Sequence, residues 1–574
     1  MKRILYIISA IVSCSLVLSC ENFLDSENLL KKDTSNFPKT QTDVEQMVTG
    51  IYATMNNLVN DTECLPFFIY DMAGDDRLGG GSTSNTGAQA ADRLLMKNAS
   101  FYAPLWQYRY EGIFRANTLL STIDNVSEWT DEGKKKQLTA EALFLRAYFY
   151  LDLAQVFGEV PLVLEPVPQN LPKASADELY AQIASDLKKA IELAPSVSWE
   201  NTRGRASKWA AEALMARVWL FYTGYYKKSD LPLAEGGVVS KSEVVAWLED
   251  CINKSGHDLV SDQRNIWAYS NEYTSKTYTY GKVNNLKWEG DGCKETIFAL
   301  KFSNTAEDNS SKIRGYCNRL CEYYALRNYK SNLTKAYPFC EVGYSNGPAS
   351  LNLWEEWGSD PNYAGDYRRE GSICDRAAEL PEYNGAPDKE IENTNLLAKK
   401  YVSVAAKDES DGIFAYAFFY GGENHNKLSN TMDLILIRFA DVLLMHSELT
   451  GTNTGLNRVR ARAKLAPLPY SLENIKKERR YELCFEAIRW NDLRRWGDVS
   501  EIVRTQTGQK ITNRGKDDRY VFHEAFPFMQ RYNETGGFFR IPETEIVQSQ
   551  GVLVQNKGWE SDSFLWQKHP YTTI

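Results

Sequence analysis

The chain has 574 residues, a formal net charge of −9 and 12% aromatic side chains, including 14 Trp and 33 Tyr. That balance argues against a nucleic-acid partner, which needs a concentrated basic face, and suits a neutral ligand. A chain of this length buries roughly three quarters of its extended surface, so its core does not depend on metals or disulfides.

Lys2-Arg3 precedes a mostly apolar run from Ile4 to Ser19, the layout of a secretory signal. The run is shorter than the ~20 residues that cross a bilayer core, so no spanning helix is expected. Val17-Leu18-Ser19-Cys20 resembles a lipobox. It predicts a signal peptide at 1–19 and an acylated Cys20 as the first mature residue. Two or more acyl chains anchor stably where one holds only marginally. Residues 20–42 then form a lipidated N-terminus and tether, and 43–574 a single domain. Its helical blocks are expected at 43–256 and 428–500, flanking a loop-rich insertion at 257–427.

Val44, Met47, Val48, Ile51, Tyr52 and Met55 fall at helical spacing, predicting a helix over 43–58. Residues 71–92, rich in Gly, Asp, Ser and Asn, read as a long surface loop. Helical spacing returns over 106–123. It is clearer over 133–157, where Leu138, Ala142, Leu145, Phe149 and Leu153 make one stripe and Gly158 is placed to close it. Ser175 and Glu178 form a capping-box signature ahead of Leu179, Ile183, Leu187 and Ile191. Over 205–222, Ala210, Ala211, Ala213 and Ala216 permit close approach of a neighbouring helix. Helices in antiparallel pairs of roughly 34 to 40 residues point to tetratricopeptide-like packing, although the repeat consensus is poorly matched. Further helices are expected over 431–449 and 471–496. Between the blocks, Tyr, Trp, Gly and Asn with short apolar runs predict loops and short strands, where binding surfaces tend to be built. The fold class is therefore mainly α.

Apart from Cys14 and Cys20 the cysteines are Cys64, Cys251, Cys293, Cys317, Cys321, Cys340, Cys374 and Cys484. No histidine stands near Cys317 and Cys321, so a zinc site is not expected. Local disulfide stapling within 251–374 is the reading that export permits.

Several motifs stand in one order along the chain: Ser19-Cys20-Glu21-Asn22-Phe23-Leu24-Asp25; Leu145-Arg146-Ala147-Tyr148-Phe149-Tyr150-Leu151-Asp152-Leu153 with Phe157-Gly158-Glu159-Val160-Pro161-Leu162; Gly204-Arg205-Ala206; Ile437-Arg438-Phe439-Ala440-Asp441; Glu478-Arg479-Arg480-Tyr481-Glu482-Leu483 with Arg489-Trp490; and Phe539-Arg540-Ile541-Pro542-Glu543. Together they resemble the SusD/RagB family of Bacteroidetes outer-membrane nutrient-binding lipoproteins. The match fades over 257–427. The resemblance implies a helical body of four tetratricopeptide-like units under a more irregular ligand-holding part. It also implies a partner, a TonB-dependent transporter of the SusC type, over which the lipoprotein sits as an extracellular lid. Ligands in that family are usually oligosaccharides, with peptides in some members, and no catalytic centre belongs to the pattern.

Glu478, Glu482, Glu486 and Arg489 recur at helical intervals with Arg479 and Arg480 alongside. An arginine–carboxylate network tying helices together is the simplest account, because carboxylates four apart repel unless cations engage them. A sugar instead asks for exposed flat aromatics beside polar donors and acceptors. Asp75, Asp76 and Arg77 are candidates for the polar half; Trp267, Tyr273, Trp288 and Trp354 are candidates for stacking. No cofactor is expected; Asp75-Asp76 and Asp360-Pro361-Asn362 offer oxygens of the kind calcium takes, without a diagnostic spacing. The leading functional expectation is capture of oligosaccharide or polysaccharide for import. A peptide-binding transporter lid and a surface glycoside hydrolase are the alternatives.

Overall fold

The computed structural model describes residues 37–566 apart from 203, 304–316, 328–337, 340–342, 382, 384–387, 411, 423, 426–429 and 522–526. The signal, Cys20, most of the tether and Cys340 lie outside the described residues. The helices used below are α1 (Gln41–Asn57), α2 (Pro66–Ala73), α3 (Thr86–Asp92), α4 (Ala103–Thr122), α5 (Glu132–Phe157), α6 (Ala176–Leu193), α7 (Lys208–Tyr226), α8 (Lys241–Lys254), α9 (Leu351–Ser359), α10 (Phe439–Thr450), α11 (Thr454–Arg462), α12 (Leu472–Glu482) and α13 (Arg489–Trp496).

Capping chemistry sets several of their starts. Ser175 Oγ accepts from the Glu178 N–H and Glu178 Oε2 accepts from the Ser175 N–H at 2.8 Å, completing the box expected before α6. Thr40 and Asp43 do the same for α1, and Ser240 and Glu243 for α8. At the other end of α5, Gly158 takes φ +76°, which a Cβ would oppose. The stripes then bury: Val44, Val48, Ile51 and Met55 of α1 are at most 1% exposed.

Each long helix packs on the next. α1 lies on α4, α4 on α5, α5 on α6, α6 on α7 and α7 on α8; α8 then meets α10, which carries α11 and α12. Helices so outnumber strands that the mainly α, tetratricopeptide-like reading holds. Gly112 lets α4 and α5 close up, since a Cβ there would stand 2.3 Å from Phe149. The insertion leaves after α8 and returns beside it, its base closed by strand β1 (Thr296–Leu300) pairing antiparallel with β4 (Leu434–Arg438). A second small pair, β2 (Ala405–Lys407) with β3 (Ile413–Ala415), sits further out. One contiguous apolar core runs from Val44 to Trp566 through both helical blocks and the insertion.

Several expectations change. The helix expected over 431–449 opens with strand β4, and α10 begins only at Phe439. The predicted helix over 471–496 is two helices, because Phe485 and Ala487 adopt φ of +63° and +60° and turn the chain between α12 and α13. The predicted surface loop at 71–92 is an interior segment containing the end of α2 and all of α3. Its glycines serve close packing, since a Cβ on Gly79 would lie 2.7 Å from the backbone of Gln89. Among the described residues the expected stapling is absent as well: their seven cysteines are free, buried thiols.

The helix-spaced carboxylates form the expected ion network, with other cations than the adjacent arginines. Glu482 pairs with Arg368 (2.8 Å), Arg438 (2.9 Å) and Arg462 (2.5 Å). Glu478 pairs with Arg368 (2.7 Å) and Arg460 (3.1 Å), and Glu486 with Arg438 and Lys400, both at 2.7 Å. Glu295 and Asp366 complete it through Arg438 and Arg368. Arg479 points elsewhere, bridging Asp441 (2.6 Å) and Asp492 (2.7 Å). The network thus joins α11, α12 and β4 to the insertion.

One buried carboxylate has no such support. Glu212 of α7 is fully buried, 3.6 Å from Lys208, and burial pushes its pKa up to about 8. Its unfolded value is near 4.3. Between those values the folded state binds the extra proton, so Glu212 makes stability fall as pH rises through that window. Glu212→Gln is expected to stabilise the protein by on the order of 1 kcal/mol or more at pH 7 and to flatten stability between pH 5 and 8. Urea midpoints at several pH values test this; an unchanged slope would refute it.

Candidate functional site

The strongest exposed chemical feature is an aromatic platform on the insertion. Asn271 starts a short helix, Glu272–Ser275, by accepting from the N–H groups of Tyr273 and Thr274 at 2.9 Å. Thr274 Oγ1 donates to Ala405 O at 3.0 Å and so fixes this helix to β2. Across the hairpin, β3 leads into a 3₁₀ turn, Tyr416–Tyr420, which Gly421 ends at φ +84°. The Tyr273 ring stacks on Phe419 at 4.3 Å and meets Tyr420 edge-on at 5.4 Å. Trp288 borders Tyr416 and Tyr420 at 6.0 and 6.2 Å, and Phe414 stacks on Phe418 at 4.7 Å.

These rings are not a buried core. Phe418 is 44% and Tyr420 46% exposed, and Tyr273, Trp288, Phe414 and Phe419 are half-buried. Apolar faces held open at this density, fixed by one another, suit a ligand with flat C–H faces. Polar groups stand at the edge. Lys276, exposed, has its ammonium 5.2 Å from the Tyr273 ring centre, and Glu272 is also exposed. Burial raises the Tyr420 phenol to about 12, so it stays a neutral hydroxyl able to donate and accept.

The predicted site residues divide. Tyr273 and Trp288 come together in the platform. Trp267 does not: it is 3% exposed, edge-on to Tyr401 at 5.3 Å with the Lys400 ammonium 4.9 Å from its ring. Trp354, on α9, is half-buried and covered by the Arg369 guanidinium 4.0 Å from its ring centre. Asp75, Asp76 and Arg77 are at most 2% exposed and leave the ligand set. Asp75 pairs with Arg489 (2.6 Å) and Arg480 (3.2 Å), Asp76 with Arg480 (2.8 Å), and Arg77 with Asp71 (2.6 Å). Arg489, placed in the structural set, thus works through Asp75 and not through the glutamates of α12.

The calcium reading falls with them. Asp360 is held by Lys477 at 2.8 Å, the Asp75–Asp76 oxygens face arginines, and the described residues contain no metal-ligating cluster. Arg146, Asp152 and Asp441, which stand in the family-like motifs, pair with Asp186 (2.7 Å), Arg109 (2.8 Å) and Arg217 (2.7 Å).

Two family models match the chain. One, described as starch-binding associating with outer membrane, covers residues 22–220; that of the SusD family covers 294–559. The chain belongs to the SusD/RagB family. SusD-like protein P25 of Formosa agariphila is 24% identical over 508 residues, 82% of this chain and 85% of that protein. Among solved structures, surface glycan-binding protein A from Bacteroides fluxus is 23% identical, with a TM-score of 0.67 over 90% of this chain and 99% of its own. Its counterpart from Bacteroides thetaiotaomicron in complex with laminarihexaose is 19% identical, with a TM-score of 0.66 over 90% of this chain and 100% of its own. Those two structures show the same fold. SusD/RagB proteins are non-catalytic binding proteins of the outer-membrane surface.

For a SusD/RagB protein, the platform residues missed from sequence are Phe414, Phe418, Phe419 and Tyr420. The signal was present: Phe414-Ala415-Tyr416-Ala417-Phe418-Phe419-Tyr420 between Gly412 and Gly421 is too aromatic for a two-stranded hairpin to bury.

Proposed function

We propose that this protein captures oligosaccharide or polysaccharide at the cell surface, leaves it chemically intact and passes it to a SusC-like TonB-dependent transporter. The observation that carries the reading is the exposed, mutually stacked platform of Tyr273, Phe419, Tyr420 and Phe418. The fold shared with surface glycan-binding proteins supports it. Affinity electrophoresis and calorimetry against plant, host and microbial polysaccharides test the reading. Retention by at least one glycan, without release of reducing ends, is expected. Binding of peptides and of no glycan would overturn it.

Acyl chains on Cys20 hold the protein to the membrane in this account, and the residues between Cys20 and α1 connect the anchor to the helical body. Cys20→Ala is expected to release the protein from membrane fractions and leave binding by the purified protein unchanged, because lipidation supplies anchoring and no ligand contact. Fractionation with calorimetry reads both. Co-purification of a large barrel after detergent extraction of the wild type tests the transporter pairing.

A further inference from the structure

A cavity of about 90 Å³ lies in the helical body and shares no residue with the aromatic platform. Helices α5 and α7 both pack on α6, and the cavity sits between them, bounded also by α2 and by the turn at 486–488 that precedes α13. Tyr148, Arg217, Leu436 and Asn491 in its wall are half-buried, so solvent reaches it. A water needs ~10–15 Å³ of such space, so the cavity takes one small molecule and no oligosaccharide.

Positions 148, 152 and 155 recur at helical spacing, so one face of α5 brings three polar side chains to this space. Among the described residues, each keeps an atom without a hydrogen bond. Arg109 Nε donates to Asp152 Oδ2 at 2.8 Å, and Asp152 Oδ1 accepts nothing. Gln155 Oε1 accepts from Asn491 at 3.2 Å, while Gln155 Nε2 donates to nothing. The Tyr148 hydroxyl is likewise unmatched. On α7, Arg217 donates through Nε to Asp441 at 2.7 Å, which leaves both Nη groups unused. None of these unmatched atoms is sealed from solvent.

The two charged ends are opposite in sign, and each already has a partner, Asp152 in Arg109 and Arg217 in Asp441. A lone anion would suit Arg217 and meet the open oxygen of Asp152; a lone cation would suit Asp152 and meet Arg217. A molecule carrying both signs serves both through charge-assisted hydrogen bonds. Leu151, Leu214 and Leu220 add apolar surface to the same cavity, as a site for an aliphatic group requires. We propose that this cavity binds one α-amino acid with an aliphatic side chain. Its carboxylate meets Arg217 and Gln155, its ammonium meets Asp152 and Tyr148, and its side chain lies on the leucines. The site stands independently of the glycan reading.

Calorimetry and melting temperature on the full mature chain test this with L-leucine as the probe. Leucine is expected to bind at one site per chain and to raise the melting temperature. 4-Methylpentanoate, which lacks the amine, and 3-methylbutylamine, which lacks the carboxylate, are expected to bind about tenfold more weakly or worse, and glucose not at all. Tyr148→Phe removes a hydroxyl that no protein group uses, so the fold stands and leucine weakens about fivefold. Arg217→Lys keeps a cation for Asp441 and removes the open Nη pair, for a loss of about tenfold or more. Tyr148→Phe decides the question alone if Arg217→Lys fails to fold. Absence of both heat and thermal shift with leucine, equal binding of glucose or of either fragment, or wild-type leucine affinity in a folded variant would each overturn the site.

Discussion

Glu482→Ala is expected to destabilise the protein by about 3–5 kcal/mol, the cost of leaving buried charge uncompensated. The glutamate is fully buried and faces Arg368, Arg438 and Arg462 at once. Its removal leaves three guanidiniums crowded in an apolar surround. Those arginines come from the insertion, β4 and α11, so the loss loosens the seam between the helical body and the ligand-bearing part. Adding Arg438→Met to Glu482→Ala is expected to restore part of the loss, because both members of one pair are then gone. Urea unfolding midpoints read the series. A loss below 1 kcal/mol in the single variant would show that the network is not a structural tie.

The same groups set the acid response. The surrounding cations hold the Glu482 carboxyl well below the usual carboxylate range, and arginines lower Asp441 and Glu448 to about 2. A carboxylate whose folded pKa is depressed contributes stability above its unfolded pKa and loses it as pH falls toward the folded one. The wild type is therefore expected to lose stability steeply between about pH 4 and 2, opposite in sign to the Glu212 effect at higher pH.

How much of this was legible in the sequence depends on where each partner sits. α1, α5 and α6 could be read because helix periodicity and capping boxes are local: Ser175 and Glu178 are three residues apart. The role of Glu478 and Glu482 could be read only by type. Their partner Arg368 lies in a part of the chain with no motif, and nothing local to α12 names it. Asp75 and Asp76 misled for the same reason. A Gly-Asp-Asp-Arg run has the composition of an exposed loop, and it is Arg480 and Arg489, some 400 residues on, that draw it inside. Among the aromatics, Trp267 and Trp288 look alike in sequence; one is covered by Tyr401 and the other borders Tyr420.

Tyr273→Ala with Tyr420→Ala is expected to cost the greater part of glycan affinity. Truncating a single central aromatic of a binding surface commonly costs about 2 kcal/mol, roughly thirtyfold in Kd. The two rings are in mutual contact, Tyr420 edge-on to Tyr273, so the double variant should fall short of the product of the single effects. Tyr273 also props Phe419 by stacking, and its loss removes contact area and disorders a neighbouring ring together. Nearly half of the Tyr420 surface is open, so Tyr420→Phe, which keeps the ring and drops the hydroxyl, separates stacking from hydrogen bonding. If stacking dominates, Tyr420→Phe binds within about threefold of wild type while Tyr420→Ala falls tenfold or more. Because the platform lies outside the buried ion network, melting temperatures should stay near wild type in all of these variants. Wild-type affinity in the double variant would place the glycan site elsewhere on the molecule.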